Sequence, residues 1–153
     1  MSFFNALKQA FASGAKELNK EYGKTKDFLN AVCSSCALIA YADGTLEDSE
    51  RKKAMEVLTG HTQISALYPR TEIEGALNSA LSHATTASGK QELARALDRV
   101  LGNPNGREMA DDVYLVAVDV ASSNSHGKPG DDETRVLERL AKRLNVDATK
   151  FEF

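Results

Sequence analysis

Four carboxylates, Asp43, Glu47, Asp48 and Glu50, crowd around Gly44 in the stretch AYADGTLEDSERKKAMEVL, which runs from Ala40 to Leu58 between two apolar segments. Hard oxygen donors gathered at a turn are a common means of holding a divalent cation such as calcium. The same residue types also suit a plain helix start, because acids in a first turn complement the helix dipole by about 0.3 to 1 kcal/mol each. A second acidic corner, Asp131, Asp132 and Glu133, follows the loop SSNSHGKPG, which carries Asn124 and His126. Oxygen donors favour calcium and admit magnesium, whereas a histidine nitrogen at His126 would also admit zinc.

The two corners rhyme. Setting Gly44 against Gly127 puts Glu50 against Glu133, each six residues after its glycine. An EF-hand calcium loop has the same interval between its glycine and its chelating glutamate. The rest of that loop is missing: Ile39 and Tyr41 stand where the first corner would need oxygen donors. In the second, Ser122, Asn124, His126 and Gly130 leave Glu133 as the only carboxylate at a ligand position. Neither corner is an EF-hand, and the second should hold a cation more weakly.

Cys33 and Cys36 have the spacing of redox and zinc motifs, but they sit inside an apolar segment instead of following a strand. Without the electropositive setting that lowers a thiol pKa, they read as two small core residues. His61 and His83 lie in separate segments and do not complete a zinc finger. Asp119 interrupts an apolar run, so it faces either a polar seam or an interior site. No Ser-His-Asp order, phosphate loop or HExxH is present, and no residue is assigned a catalytic role.

The elements that must carry these corners are helical. At 153 residues the chain fits one domain that buries roughly two thirds of its unfolded surface. A net charge of -3 disfavours nucleic acid as a partner. No stretch has the length of a membrane span and the start lacks a secretory signal, so a cytoplasmic setting is expected.

Phe3, Phe4, Leu7, Phe11, Leu18 and Tyr22 fall on one side of a helical wheel, so residues 1–26 read as an N-terminal amphipathic helix packed on or flanking the bundle. Its lysines also fit a membrane surface, the less simple reading. The pattern then predicts a helix over Phe28 to Tyr41 capped near Asp27, and an acid-started one ending at Gly60. After a link containing Pro69, another starts near Thr71 and the next is capped by Ser88 with Gln91 and stops at Gly102. A further helix has Pro104 in its first turn and DVYLVAVDVA, ending at Ala121, as its buried part; the last spans Asp131 to Leu144. The fold expected is an all-α single-domain bundle of about seven helices with an internal pseudo-two-fold repeat.

The opening MSFF, the apolar run into ADG with Glu50 following, the later run into SSN, DDE at 131–133 and the ending LNVDATKFEF together resemble the tellurite-resistance TerB family. The resemblance covers nearly the whole chain and implies a TerB-like helical domain over residues 27–153. It also implies divalent-cation sites at the acidic corners, carried onto Asp43, Glu47, Asp48 and Glu50, then onto Asp131, Asp132 and Glu133. Where the family has an Asp-Gly pair in the second corner, this chain has Asn124-Ser125 or His126-Gly127, so a carboxylate is lost.

The function so implied is that of a non-enzymatic cytoplasmic adaptor in a tellurite-resistance and stress-response system, working by protein–protein interaction. Its partners would be other proteins of that system, one of them membrane-embedded. The alternative is a metal-dependent enzyme with a carboxylate-lined site. The two readings separate on whether Asp43, Glu50 and Glu133 face one enclosed pocket or open solvent.

Overall fold

The computed structural model describes residues 18–124 and 130–147, with the backbone alone at Ser123 and Asn124. Among these residues there are seven α-helices, one 3-10 turn and no strand. The helices are α1 (Asp27–Ala40), α2 (Asp48–Thr59), α3 (Thr62–Leu67), α4 (Arg70–His83), α5 (Ala87–Val100), α6 (Gly106–Asn124) and α7 (Asp131–Arg143). The all-α bundle expected from the apolar periodicity is thus observed.

Two helices make the centre. The α1 sequence, DFLNAVCSSCALIA, is apolar or small almost all round, and ten of its residues from Phe28 to Ile39 are buried. A helix of that composition must be covered on all sides. It packs against α4, α5 and α6, and also touches α2 and α7. Burying Phe28, Leu29 or Ile39 stabilises the fold by about 1.5 to 3 kcal/mol each relative to exposure. In α6 the valine-rich run from Val113 to Ala121 is buried except at Asp119. Its β-branched residues cost little helix propensity compared with what their burial contributes. The outer helices are one-sided: α5 buries Leu93, Ala96, Leu97 and Val100, and α7 buries Leu137 and Leu140.

Several boundaries differ from the sequence expectation. Asp27 is the first residue of α1 and not its cap: Thr25 Oγ1 accepts from its N–H at 3.2 Å. Thr86, not Ser88, caps α5, its Oγ1 accepting from the Gly89 N–H at 3.0 Å. Pro104 lies in the turn before α6, which starts at Gly106. The link before Pro69 contains α3, too short to show a period, which is held by His61 Nδ1 accepting from the Ile64 N–H at 3.4 Å.

Residues 1–17 lie outside the described residues, so an amphipathic helix there is not addressed. Within 18–26, Asn19 caps a single 3-10 turn, Lys20–Lys24, in place of a continuing α-helix. Tyr22 is fully buried there and donates from its phenol to Asp112 Oδ2 at 2.6 Å. Tyr68 donates in turn to the Tyr22 carbonyl at 2.7 Å.

Burial, the bond to Asp112 and that carboxylate's charge all push the Tyr22 phenol well above its ordinary pKa, so it stays a donor. Tyr22→Phe keeps the ring against Phe28, at 4.5 Å between centroids, and removes only the donor. A loss of about 2 kcal/mol, read as a lower urea midpoint at unchanged slope, is expected for a hydrogen bond to a buried carboxylate. An unchanged midpoint would refute this anchoring role.

Candidate functional site

Each acidic corner is made by a largely buried helix ending and a more exposed, one-sided helix beginning. After α1 the chain turns at Gly44, whose φ of +90° lies in the region that favours glycine. The Gly44 N–H closes this turn onto the Tyr41 carbonyl at 2.9 Å. Asp43 Oδ1 accepts from the Thr45 N–H at 3.1 Å, which fixes the exit direction. Glu50 is the third residue of α2, and its Oε1 accepts from the Glu47 N–H at 3.1 Å. Glu133 is the third residue of α7 and does the same to the Gly130 N–H at 3.2 Å. The two glutamates aligned in the sequence are therefore equivalent in the fold.

The corners also meet. Asp43 and Glu50 from the first corner line one cleft with Asp131, Asp132 and Glu133 from the second, over a volume of about 250 Å³. Ile39, Ala40 and Ala42 form its apolar side, and Lys53 lines it as well. Glu47 and Asp48 are exposed and do not line it. His126 and the Asn124 side chain lie outside the described residues. Two candidate sites of unequal strength were expected; the fold offers one shared cleft.

Its chemistry is that of hard donors. Five carboxylates face a single ammonium among the lining residues, so the cleft attracts cations. All but Glu133 are well exposed, and Glu133 is half-buried. The cleft is thus shared but not enclosed, intermediate between the two arrangements that distinguish an enzyme from an adaptor. Among the described residues no three His, Cys, Asp or Glu side chains are gathered closely enough to hold an ion as they stand.

The remaining candidates have structural roles. Cys33 and Cys36 are free and 1% exposed. Burial, then the charge of Asp119, pushes the Cys36 thiol up to about 12; burial, then Cys36, raises Cys33 well above the ordinary range. A carboxylate beside a thiol opposes the thiolate, the reverse of what a nucleophile needs. Asp119 faces a polar seam: its Oδ2 lies 3.3 Å from Nε2 of His61. Because His61 Nδ1 accepts the α3 cap bond, Nε2 carries the proton that this contact uses. Apolar periodicity did not reveal this pairing, and the lone aspartate in the run was its only signal.

The fold and site define an all-α domain that carries the carboxylates of both corners on one cleft, and no helix among the described residues is long and apolar enough to cross a membrane. The chain belongs to the family described as tellurite resistance protein TerB, whose model matches residues 29–153. It is similar to the tellurium resistance protein TerB of an Alcaligenes species, with 32% identity over 76 residues. That match takes in 48% of this chain and 62% of the relative, so the chain spans less than two thirds of that relative's length. No solved structure gave a match.

Proposed function

We propose that this protein is a non-enzymatic adaptor of a tellurite-resistance and stress-response system, and that the acidic cleft binds one divalent cation, calcium in preference to magnesium or zinc. The observation that supports this reading is the convergence of Asp43 and Glu50 with Asp131, Asp132 and Glu133 on one cleft. The donors fit the group: all are oxygens, which suit calcium, while zinc favours nitrogen or sulfur. A bound cation would supply charge that draws the two corners together, and Asp43, Glu50 and Glu133 are the residues assigned to hold it. The adaptor's partners are proposed to be other proteins of the same system, one of them membrane-embedded, in a cytoplasmic setting.

Calorimetric titration of metal-stripped protein with calcium, magnesium and zinc tests the site. One saturable calcium site and a raised melting temperature are expected. Glu50→Gln and Glu133→Gln, which keep a capping oxygen and remove the charge, should each weaken binding by about tenfold or more, equivalent to about 1.4 kcal/mol. Two independent sites, each surviving loss of the other corner's glutamate, would contradict a shared cleft. Absence of both heat and thermal stabilisation at millimolar calcium would reduce the acids to helix caps.

A further inference from the structure

Lys53 is the only cation among the described residues that line the acidic cleft. It is the sixth residue of α2, one turn on from Glu50 and on the same side of the helix. None of the usual reasons for a lysine holds it there. The helix dipole favours cations in a last turn, not close behind a start that Asp48 and Glu50 already complement. Glu50 and Glu56 both lie three residues away along the helix, yet Lys53 pairs with neither, and it forms no ion pair among the described residues. Core packing does not explain it either, because Lys53 is exposed. In the second half, the residue three beyond Glu133 is Val136, partly buried against the core. The helix accepts an apolar residue at this position, so the ammonium in the first half answers to the cleft and not to the fold.

The lining acids leave that role open. Asp132 has a cation of its own, Arg135 at 3.1 Å, which does not line the cleft. Asp43, Glu50 and Glu133 accept backbone N–H groups, which orient the carboxylates without cancelling their charge. A lysine ammonium is a strongly hydrated point charge on a flexible stem, so it can neutralise several acids in turn and leave each of them at little cost. The same charge repels any other cation that approaches those acids.

We propose that Lys53 is the internal counter-ion of the acidic cleft: it offsets the carboxylates in the metal-free protein, competes with a divalent cation for them, and gives them up when that cation binds. The competition rests on the cation reading above; the counter-ion role does not. Lys53→Met keeps the apolar stem and the helix propensity and removes the charge. Lys52→Met is the charge-matched control, an exposed neighbour that does not line the cleft. In metal-stripped full-length protein at about 0.01 M salt, where charges act over about 30 Å, Lys53→Met should melt about 3 °C below Lys52→Met. That gap should close at about 1 M salt, where the range falls to about 3 Å. In calorimetric titration Lys53→Met should bind calcium about fivefold more tightly than wild type or Lys52→Met, because the repelling charge is gone. Lys53→Arg, which keeps the charge, should stay within about twofold of wild type. Equal low-salt melting of the two methionine variants overturns the counter-ion role whether or not calcium binds. Equal calcium affinities in Lys53→Met and wild type overturn the competition. Absence of calcium binding in both refutes the cation reading instead, and the low-salt melts then decide the counter-ion role by themselves.

Discussion

Raising the pH from about 9 to about 11 is expected to destabilise this protein steeply, because its core holds weak acids that the fold keeps protonated. Burial pushes Cys36 up to about 12 and Tyr114, beside the charge of Glu138, also to about 12. Burial likewise raises Cys33 and Tyr68, and Tyr22 is raised by burial and by its bond to Asp112. In the unfolded chain thiols ionise near about 8.5 and phenols near about 10. Above those values the unfolded state releases protons that the native state keeps. The stability these groups confer is therefore complete below the unfolded pKa and is lost as pH climbs towards the folded one.

Each such group lowers stability by about 1.4 kcal/mol per pH unit within its window. Cys36 alone withdraws about 3 kcal/mol between about pH 9 and 11, a large part of the 5 to 15 kcal/mol a domain commonly has. Urea midpoints across that range measure the fall. Cys36→Ala should make it shallower between about pH 8.5 and 10, where thiols but not phenols respond. A flat profile would mean that the thiols ionise in the folded state, and rapid native labelling of Cys33 and Cys36 by a thiol reagent would then accompany it.

Gly89→Ala is expected to cost about 3 kcal/mol, although the substitution raises helix propensity by about 1 kcal/mol. Gly89 is the third residue of α5, and a Cβ there would lie 1.9 Å from the His83 carbonyl oxygen and 2.7 Å from its carbon. Both obstacles are backbone, so no rotamer change relieves them. The turn between α4 and α5 must open, and the Thr86 cap bond to the Gly89 N–H goes with it. Gly75→Ala in α4 is the matched control: nothing lies within 4 Å of its Cβ, and the exposed helix position should gain about 1 kcal/mol. Thermal melts of the two variants should therefore move in opposite directions. A neutral or stabilising Gly89→Ala would refute the close approach.

Six of the seven described helices and the two corners could be read from the sequence because they rest on local rules. Apolar residues recurring at helical spacing marked α1, α2 and α4 to α7, Gly44 marked its turn, and the Glu50 and Glu133 spacing marked two third-position glutamates. Where two local solutions compete, local rules do not choose. Thr86 and Ser88 are both good caps, and the packing of Gly89 on the His83 carbonyl selects the former. The six-residue α3 has no period to detect and depends on His61, Ile64 and Tyr68.

The sequence by itself determined that acids start both exposed helices. Only the tertiary structure decided that Asp43 and Glu50 share a cleft with Asp131 to Glu133, because that depends on how α1 packs against α7 and α2. Adjacent serines make the same point. Ser34 and Ser35 are chemically identical and neighbours in one helix, yet the 100° turn between them sends one hydroxyl to its own backbone and the other to a groove walled by α4 and α5. Composition and spacing fix what a side chain can do locally, and the partners it meets come from elements far away in the chain.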